Sequence, residues 1–269
     1  MNTPSSDPIL AVAVRAARRA ASVVVDAARD LKRLPSFSRE HADIVASATS
    51  DAHSAIRASL SAAYPDHAIV GDEKPADAPR EAPFRWFVDA IDGTANFVHG
   101  FPYYAISIAL ANNRDLTHAV VLDPARDELF TAVHGKGAQL NGAPVRISAC
   151  TRLEDALVGT TFPSRKSPRL AAYVPVLNAL MARCGGVRRA GSAALDLAYL
   201  AAGRLDAFFV LSQQPRDLAA GALIVKESGG RVGDLTGGDD FLRGSEVIAA
   251  APGVFNPLRE AILAARPAA

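Results

Sequence analysis

The stretch WFVDAIDGTANFVHGFPYYAISIAL, residues 86–110, decides how the rest of the chain is interpreted. Residues 84–88 predict a buried strand that ends in two carboxylates, Asp89 and Asp92, followed by a Gly-Thr step at 93–94. Carboxylates at a strand end cost free energy unless they are paired or bind a cation, and hard divalent cations prefer such oxygen ligands. Backbone N–H groups of a Gly-Thr step can hold an anion. The pattern indicates phosphate chemistry, with an Asp-Gly turn between two strands as the alternative interpretation.

Composition limits the class of protein. The chain has 269 residues, 49% of them hydrophobic, which is enough for one large domain or two close-packed halves. A net charge of +1 gives no electrostatic footprint for strong direct binding to nucleic acid or to an anionic membrane. The cysteines, Cys150 and Cys184, fit buried thiols better than a disulfide or a metal site, which predicts a cytoplasmic location.

The N-terminal segment could be mistaken for a targeting or membrane segment. Arg15, Arg18, Arg19 and Asp26 interrupt its apolar runs, so no membrane span of about 18 apolar residues is present. We expect instead an amphipathic surface helix over residues 7–31, opened by an Asp-Pro pair at its first turn.

The first half, residues 1–150, predicts a mostly antiparallel sheet with two helices on one side. Residues 34–42 resemble a loop, and a second helix is expected over residues 50–64. An Asn141-Gly142 pair between two short runs is a strong hairpin signal. The other predicted strands are 67–70, 104–111, 117–122 and 128–133.

The second half, residues 151–269, predicts an α/β arrangement because strands alternate with helices. The predicted strands are 157–162, 205–211 and 245–250. The predicted helices are 167–184, 192–202, 217–227 and 257–265.

Acidic residues occur in three separated segments, each where a strand meets a loop or a helix start. They are Asp72 and Glu73 after Gly71, the pair at 89 and 92, and Asp217. Taken singly, the first could be a solvated turn and the last a helix N-cap.

The segment DAIDGTANFVHGFP, residues 89–102, resembles the signature of the inositol monophosphatase family, D-P-I-D-G-T-x-N-F-x-x-x-x-P, with Ala90 in place of the usual proline. The three acidic segments match the order and approximate spacing of the family motifs G-E-E, D-P-I-D-G-T and W-D-x-A-A-G. Residues 128–142, 157–163 and 225–230 extend the resemblance over nearly the whole chain. It implies layers in the order α-β-α-β-α, with the site where the two halves meet.

The resemblance also implies a lithium-sensitive, Mg²⁺-dependent phosphomonoesterase with two metals and a weaker third one, often dimeric, so a homodimer is expected. Asp72, Asp89 and the Ile91 carbonyl would hold the first metal, and Thr94 with Asp72 would orient the attacking water. Asp89, Asp92 and Asp217 would hold the second metal. The implied substrate contacts are Asp92, Gly93, Thr94, Gly191, Ser192, Ala193, Arg216 and Asp217.

Besides Ala90, four positions depart from the family pattern. Asp72 replaces the usual Glu, so either Asp72 or Glu73 could reach the first metal. Thr49 replaces the second Asp of D-x-V-T-x-A-D, which puts the third metal in doubt. Arg216 replaces a Trp. Its guanidinium could compete with the metal, bind an anionic substrate group, point to solvent or pair with a local acid.

The fourth departure is Val210, where inositol-preferring members carry a Glu that binds ring hydroxyls. A valine cannot accept those hydrogen bonds, so myo-inositol 1-phosphate is not the expected preferred substrate. The expected function is hydrolysis of a small phosphorylated alcohol; the candidates are an inositol monophosphate-like compound, histidinol phosphate, a sugar phosphate and a nucleotide 3′-phosphate. The alternative is a weakly or non-catalytic member that acts as a protein-binding, regulatory module.

Overall fold

The computed structural model describes residues 7–35, 38–71, 82–164, 166–244 and 246–267. Within these ranges, strands form a seven-stranded sheet in the order β1-β2-β3-β4-β5-β6-β7 and a five-stranded sheet in the order β11-β12-β10-β8-β9. The strands of the first sheet are β1 (Ala68–Val70), β2 (Phe84–Asp92), β3 (Ala105–Asn112), β4 (Asp115–Asp123), β5 (Glu128–Val133), β6 (Ala138–Leu140) and β7 (Ala143–Val145). Those of the second are β8 (Leu157–Thr160), β9 (Gly186–Arg188), β10 (Ala207–Val210), β11 (Arg231–Gly233) and β12 (Val247–Ala250).

Helices lie outside and between the two sheets. They are α1 (Pro8–Leu31), α2 (Arg39–Ala63), α3 (Thr94–Val98), α4 (Leu170–Met181), α5 (Ala193–Ala201), α6 (Pro215–Glu227), α7 (Phe241–Gly244) and α8 (Pro252–Ala265). A short 3-10 turn covers Leu153–Asp155.

Three apolar cores hold together five layers of helices and sheets. The first core lies between α1, α2 and one face of the first sheet. The second packs α5 and α6 between the two sheets, and the third packs α4 and α8 against the outer face of the second sheet. This mixed α/β order, α-β-α-β-α, confirms the predicted fold class, and it leaves α5 and α6 in the central layer, where their N-termini can meet residues of both sheets.

The opening helix forms as predicted. Asp7 caps α1 by accepting hydrogen bonds from the N–H groups of Ile9 and Leu10, both at 3.1 Å. Alanines fill its buried face, which lets α1 approach α2 and β4 closely. No helix among the described residues combines the length and the apolar character needed to cross a bilayer.

The second helix begins earlier than predicted. Residues 38–42 belong to α2 and its cap, because the Ser38 hydroxyl accepts from the His41 N–H at 3.1 Å. The prediction of a loop over 34–42 overlooked this serine as an N-cap. Thr49 consequently lies within the helix, where its hydroxyl donates to the Val45 carbonyl at 2.9 Å.

Element ends in the second half differ from the predictions. The last helix starts at Pro252, with Pro257 inside it, so Pro257 was wrongly taken as its start. Helix α4 is shorter at both ends than the predicted 167–184. The three-residue strands β9 and β11 were not predicted, because three residues are too few to show a period.

Strand β2 continues through the acidic pair rather than ending before it. Its pairing with β3 shifts between Asp89, opposite Ser107, and Asp92, opposite Ala105, so β2 carries one extra residue there. Ala90 and Ile91 are both buried in the core that faces α1 and α2.

Candidate active site

Three carboxylates meet where the end of β2 approaches the first turn of α6. Asp92 and Asp217 are buried, at 6% and 8% exposure, and Asp89 is half-buried. The Asp89 carboxylate accepts from the Ile91 N–H at 3.0 Å, and it also lies in hydrogen-bonding contact with Asp217. Asp217 is at the third position of α6, where it accepts from the Gln214 N–H at 3.3 Å. The predicted carboxylates from both halves are therefore brought together.

The crowding of these carboxylates favours their neutral forms. Burial, followed by the charges of Asp92 and Asp217, raises the pKa of Asp89 well above its usual range. Burial and the Asp217 charge raise the pKa of Asp92 to about 7, although hydrogen bonds from Ser192, Ala194 and Gly93 act in the opposite direction. The positive charge of a bound cation would offset this repulsion and so favour the charged forms of the carboxylates.

The start of α5 anchors Asp92. One Asp92 oxygen, Oδ2, accepts from the Ser192 hydroxyl at 2.6 Å and from the Ala194 N–H at 2.7 Å. Ser192 also caps the helix by accepting from the Leu195 N–H at 3.3 Å. The predicted segment 191–193 is thus beside the carboxylates, with the Ser192 hydroxyl directed at Asp92.

A tight turn follows Asp92. Gly93 has φ +91, a left-handed conformation, and an added Cβ would lie 3.0 Å from the Tyr103 carbonyl oxygen, so only glycine fits without strain. The exposed Thr94 donates its hydroxyl to the Ile91 carbonyl at 2.9 Å. Thr94, whose hydroxyl was predicted to orient water, is therefore in contact with Ile91, whose carbonyl was predicted to bind the metal.

Asn96 joins the two halves next to this turn. Its amide nitrogen donates to the Tyr103 carbonyl at 2.6 Å and to the Ala190 carbonyl at 2.8 Å. No role was predicted for Asn96, although it belongs to the family signature, which was the available signal.

A second connection between the halves was also missed. The Tyr103 hydroxyl donates to Asp196 Oδ1 at 2.7 Å. Asp196 is 1% exposed. Its burial raises its pKa to about 8, the Asp92 charge adds to the increase, and Tyr103 and Arg189 oppose it. The available signal was a single acidic residue within the otherwise apolar helix AALDLAYLA.

The departures from the family pattern have distinct environments. Arg216 donates from Nη1 to the Gly71 carbonyl at 3.1 Å, and its Nε lies 3.6 Å from Asp217 Oδ1. It therefore pairs with a local acid, as one of the four alternatives anticipated. Val210 is fully buried in the core between the sheets. Asp72 and Glu73 lie outside the described residues.

Magnesium fits this site by the chemistry of its donors. No three His, Cys, Asp or Glu side chains within the described ranges form a ready-made metal cluster. Asp89, Asp92 and Asp217 nevertheless supply carboxylate oxygens, the ligands that Mg²⁺ prefers, and the raised pKa values of Asp89 and Asp92 mark an excess of negative charge. A carbonyl oxygen has two lone pairs, so Ile91 could still act as a ligand beside its bond to Thr94.

Known proteins resemble this chain over almost its full length. The chain is 44% identical over 249 residues to Nus factor SuhB of Pseudomonas aeruginosa, and the aligned region covers 90% of this chain and 91% of the relative. The structure matches extragenic suppressor protein suhB from Bartonella henselae with a TM-score of 0.85 at 36% identity, covering 96% of this chain and all of the other. It matches inositol monophosphatase from Anabaena with a TM-score of 0.86 at 27% identity, covering 96% of each chain.

The model of the inositol monophosphatase family matches residues 5–267. Sequence, layer order and the converging carboxylates agree with this match, and the chain belongs to the inositol monophosphatase family.

Proposed function

We propose that the chain is a Mg²⁺-dependent phosphatase that hydrolyses a small phosphorylated alcohol. The observation that carries this proposal is the cluster of Asp89, Asp92 and Asp217, because three adjoining carboxylates, of which Asp89 and Asp92 have raised pKa values, are suited to bound cations. Membership of the inositol monophosphatase family supports the same reaction class.

The residues of the site have complementary tasks in such a reaction. Asp89, Asp92, Asp217 and the Ile91 carbonyl would hold Mg²⁺, which would lower the pKa of water and neutralise the phosphate. The Thr94 hydroxyl, which donates to the Ile91 carbonyl, would orient water. Asp72 would share both tasks, as ligand and as water-orienting carboxylate.

Substrate groups would be bound around the turn after β2. The Thr94 N–H is suited to a phosphate oxygen, and the Gly93 N–H would serve the phosphate in addition to its bond to Asp92. Residues 191–193 would line the alcohol. The Ser192 hydroxyl holds the Asp92 carboxylate in orientation by its 2.6 Å bond. Arg216 would bind an anionic group of the substrate from its position beside Asp217. Because Val210 offers no acceptor for ring hydroxyls, the alcohol is not expected to be inositol itself.

The test is phosphate release from a panel of phosphomonoesters at several Mg²⁺ concentrations, with lithium as an inhibitor. Wild-type protein should release phosphate, and Asp89→Asn should lose at least about a hundredfold in rate, since it removes a charged ligand while keeping the side-chain shape. The exposed residue Asp115 provides the matched control, Asp115→Asn, which should retain full activity.

Two results would contradict the proposal. One is a folded wild-type protein that releases no phosphate from any member of the panel at any Mg²⁺ concentration. The other is an Asp89→Asn protein that works as fast as the wild type.

A second function is supported by the names of the relatives. Several similar proteins are called Nus factor SuhB, including those of Pseudomonas aeruginosa and Vibrio cholerae, so a role as a protein-binding, regulatory module is the alternative. Binding to a protein partner that persists in folded Asp89→Asn, together with absent phosphatase activity in the wild type, would favour this alternative. Oligomeric state, proposed as a homodimer, is measured by analytical ultracentrifugation.

A further inference from the structure

A positively charged side chain, that of Arg216, lies beside one member of the carboxylate cluster, Asp217. Arg216 is the second residue of α6 and directly precedes Asp217. Its side chain is only 26% exposed, and its Nε is 3.6 Å from Asp217 Oδ1. The positive charge of the guanidinium therefore lies next to the Asp217 carboxylate.

Two further hydrogen bonds fix Arg216 in place. Nη1 donates to the Gly71 carbonyl, 145 residues away in the chain, at 3.1 Å. The Ser107 hydroxyl of β3 donates to the backbone carbonyl of Arg216 at 3.3 Å. Arg216 is therefore held both by its backbone and by its side chain, and its guanidinium lies between the Gly71 carbonyl and the Asp217 carboxylate.

The charge of Arg216 offsets part of the negative charge of Asp217, the member of the carboxylate cluster that it contacts. A divalent cation bound to the Asp217 carboxylate would lie close to the Arg216 guanidinium. Two positive groups that share one partly buried carboxylate repel each other. The contact between Arg216 and Asp217 would also weaken, because the carboxylate would be shared. A Trp, which stands here in the family pattern, would impose neither cost.

We propose that Arg216 is a resident counter-cation of the carboxylate site, which stabilises the metal-free protein and raises the Mg²⁺ concentration needed to fill the site. This inference rests on the proposed function, because it assumes that the same carboxylates bind Mg²⁺. Consequently, the fraction of sites that hold Mg²⁺ still changes with the free Mg²⁺ concentration in a range where a site without this arginine is already full.

Mg²⁺ titration of the full-length, metal-stripped protein by calorimetry tests the proposal. Arg216→Gln removes the charge and keeps a polar side chain, although its amide is shorter than the guanidinium that donates to the Gly71 carbonyl. It should bind Mg²⁺ at least about tenfold more tightly than the wild type. Arg216→Lys keeps the charge and should stay within about threefold of the wild-type affinity. Arg216→Met serves as a second uncharged variant if Arg216→Gln does not fold.

The metal-free proteins give a readout that does not involve activity. Without Mg²⁺, the uncharged variants should melt at lower temperature than the wild type, because the carboxylates lose their counter-ion, and added Mg²⁺ should raise their melting temperatures more than that of the wild type. Arg216→Lys should behave as the wild type in both measurements.

The outcomes separate this inference from the proposed function. Equal or weaker Mg²⁺ affinity in folded, uncharged variants, with phosphate release intact in the wild type, overturns the role of Arg216 and leaves the phosphatase standing. Absence of Mg²⁺ binding and of phosphate release in the wild type and in all variants overturns both. A tenfold gain in affinity with the charge removed, abolished by adding Asp89→Asn, supports both.

Discussion

The buried Asp196 should make the stability of the metal-free protein depend on pH. Its pKa is raised from 3.8 to about 8, first by burial and then by the Asp92 charge. A carboxyl whose pKa is raised on folding stabilises the folded state fully below its unfolded pKa, and this contribution is lost as pH rises towards the folded pKa. Between pH 5 and 7 the loss is about 1.4 kcal/mol per pH unit, or about 3 kcal/mol in all.

Asp196→Asn removes this titration and leaves an oxygen that can accept from the Tyr103 hydroxyl. Asp89 and Asp92 titrate in the same direction in both proteins, so the difference between the two pH dependences reports Asp196 together with its electrostatic coupling to Asp92. The free energy of unfolding is measured by urea denaturation at pH 5, 6 and 7 with a chelator present, followed by the fluorescence of Trp86, the single, fully buried tryptophan.

The wild type should lose about 3 kcal/mol more stability than Asp196→Asn between pH 5 and 7. The exposed control Asp115→Asn should follow the wild type. Parallel pH dependences for the wild type and Asp196→Asn would refute the reasoning, because they would mean that Asp196 has the same pKa in the folded and unfolded states.

Two substitutions test packing with matched controls. Gly93→Ala should cost about 1–3 kcal/mol of stability and most of the activity, because its Cβ would lie 3.0 Å from the Tyr103 carbonyl oxygen. The control Gly100→Ala is also at positive φ, but its Cβ would have no atom within 4 Å, so this variant should keep its activity. Ile56→Ala, at a fully buried position of α2, should cost about 2–5 kcal/mol in urea denaturation. Val174→Ala, at 57% exposure, should change stability by less than about 0.5 kcal/mol. Equal effects within either pair would contradict the packing described here.

Local signals were sufficient for much of the fold. The Asp7-Pro8 cap and the Asn141-Gly142 turn each depend on the chemistry of a few neighbouring residues, and both form as predicted. The start of α2 at Ser38 depends on the same kind of signal and was available in the sequence, although it was overlooked.

Contacts between distant residues could not be predicted in the same way. Tyr103 and Asp196 are 93 residues apart, and Arg216 and Gly71 are 145 residues apart. Their meeting depends on how α5 and α6 pack between the sheets, which no local pattern encodes. The family motifs indicated that Asp89 and Asp217 would converge, but not what surrounds them.

The extra residue in β2 determines which side of the sheet carries the acidic pair. Side chains of a regular strand alternate between its two faces, so residues three apart point to opposite sides. Because Ala90 and Ile91 both pack towards α1 and α2, Asp89 and Asp92 share the opposite side despite their odd spacing. A slip to regular pairing would push the Asp92 carboxylate into an apolar layer, at a large cost in free energy. The apolar packing on one side of the sheet thus fixes the register of the carboxylates on the other.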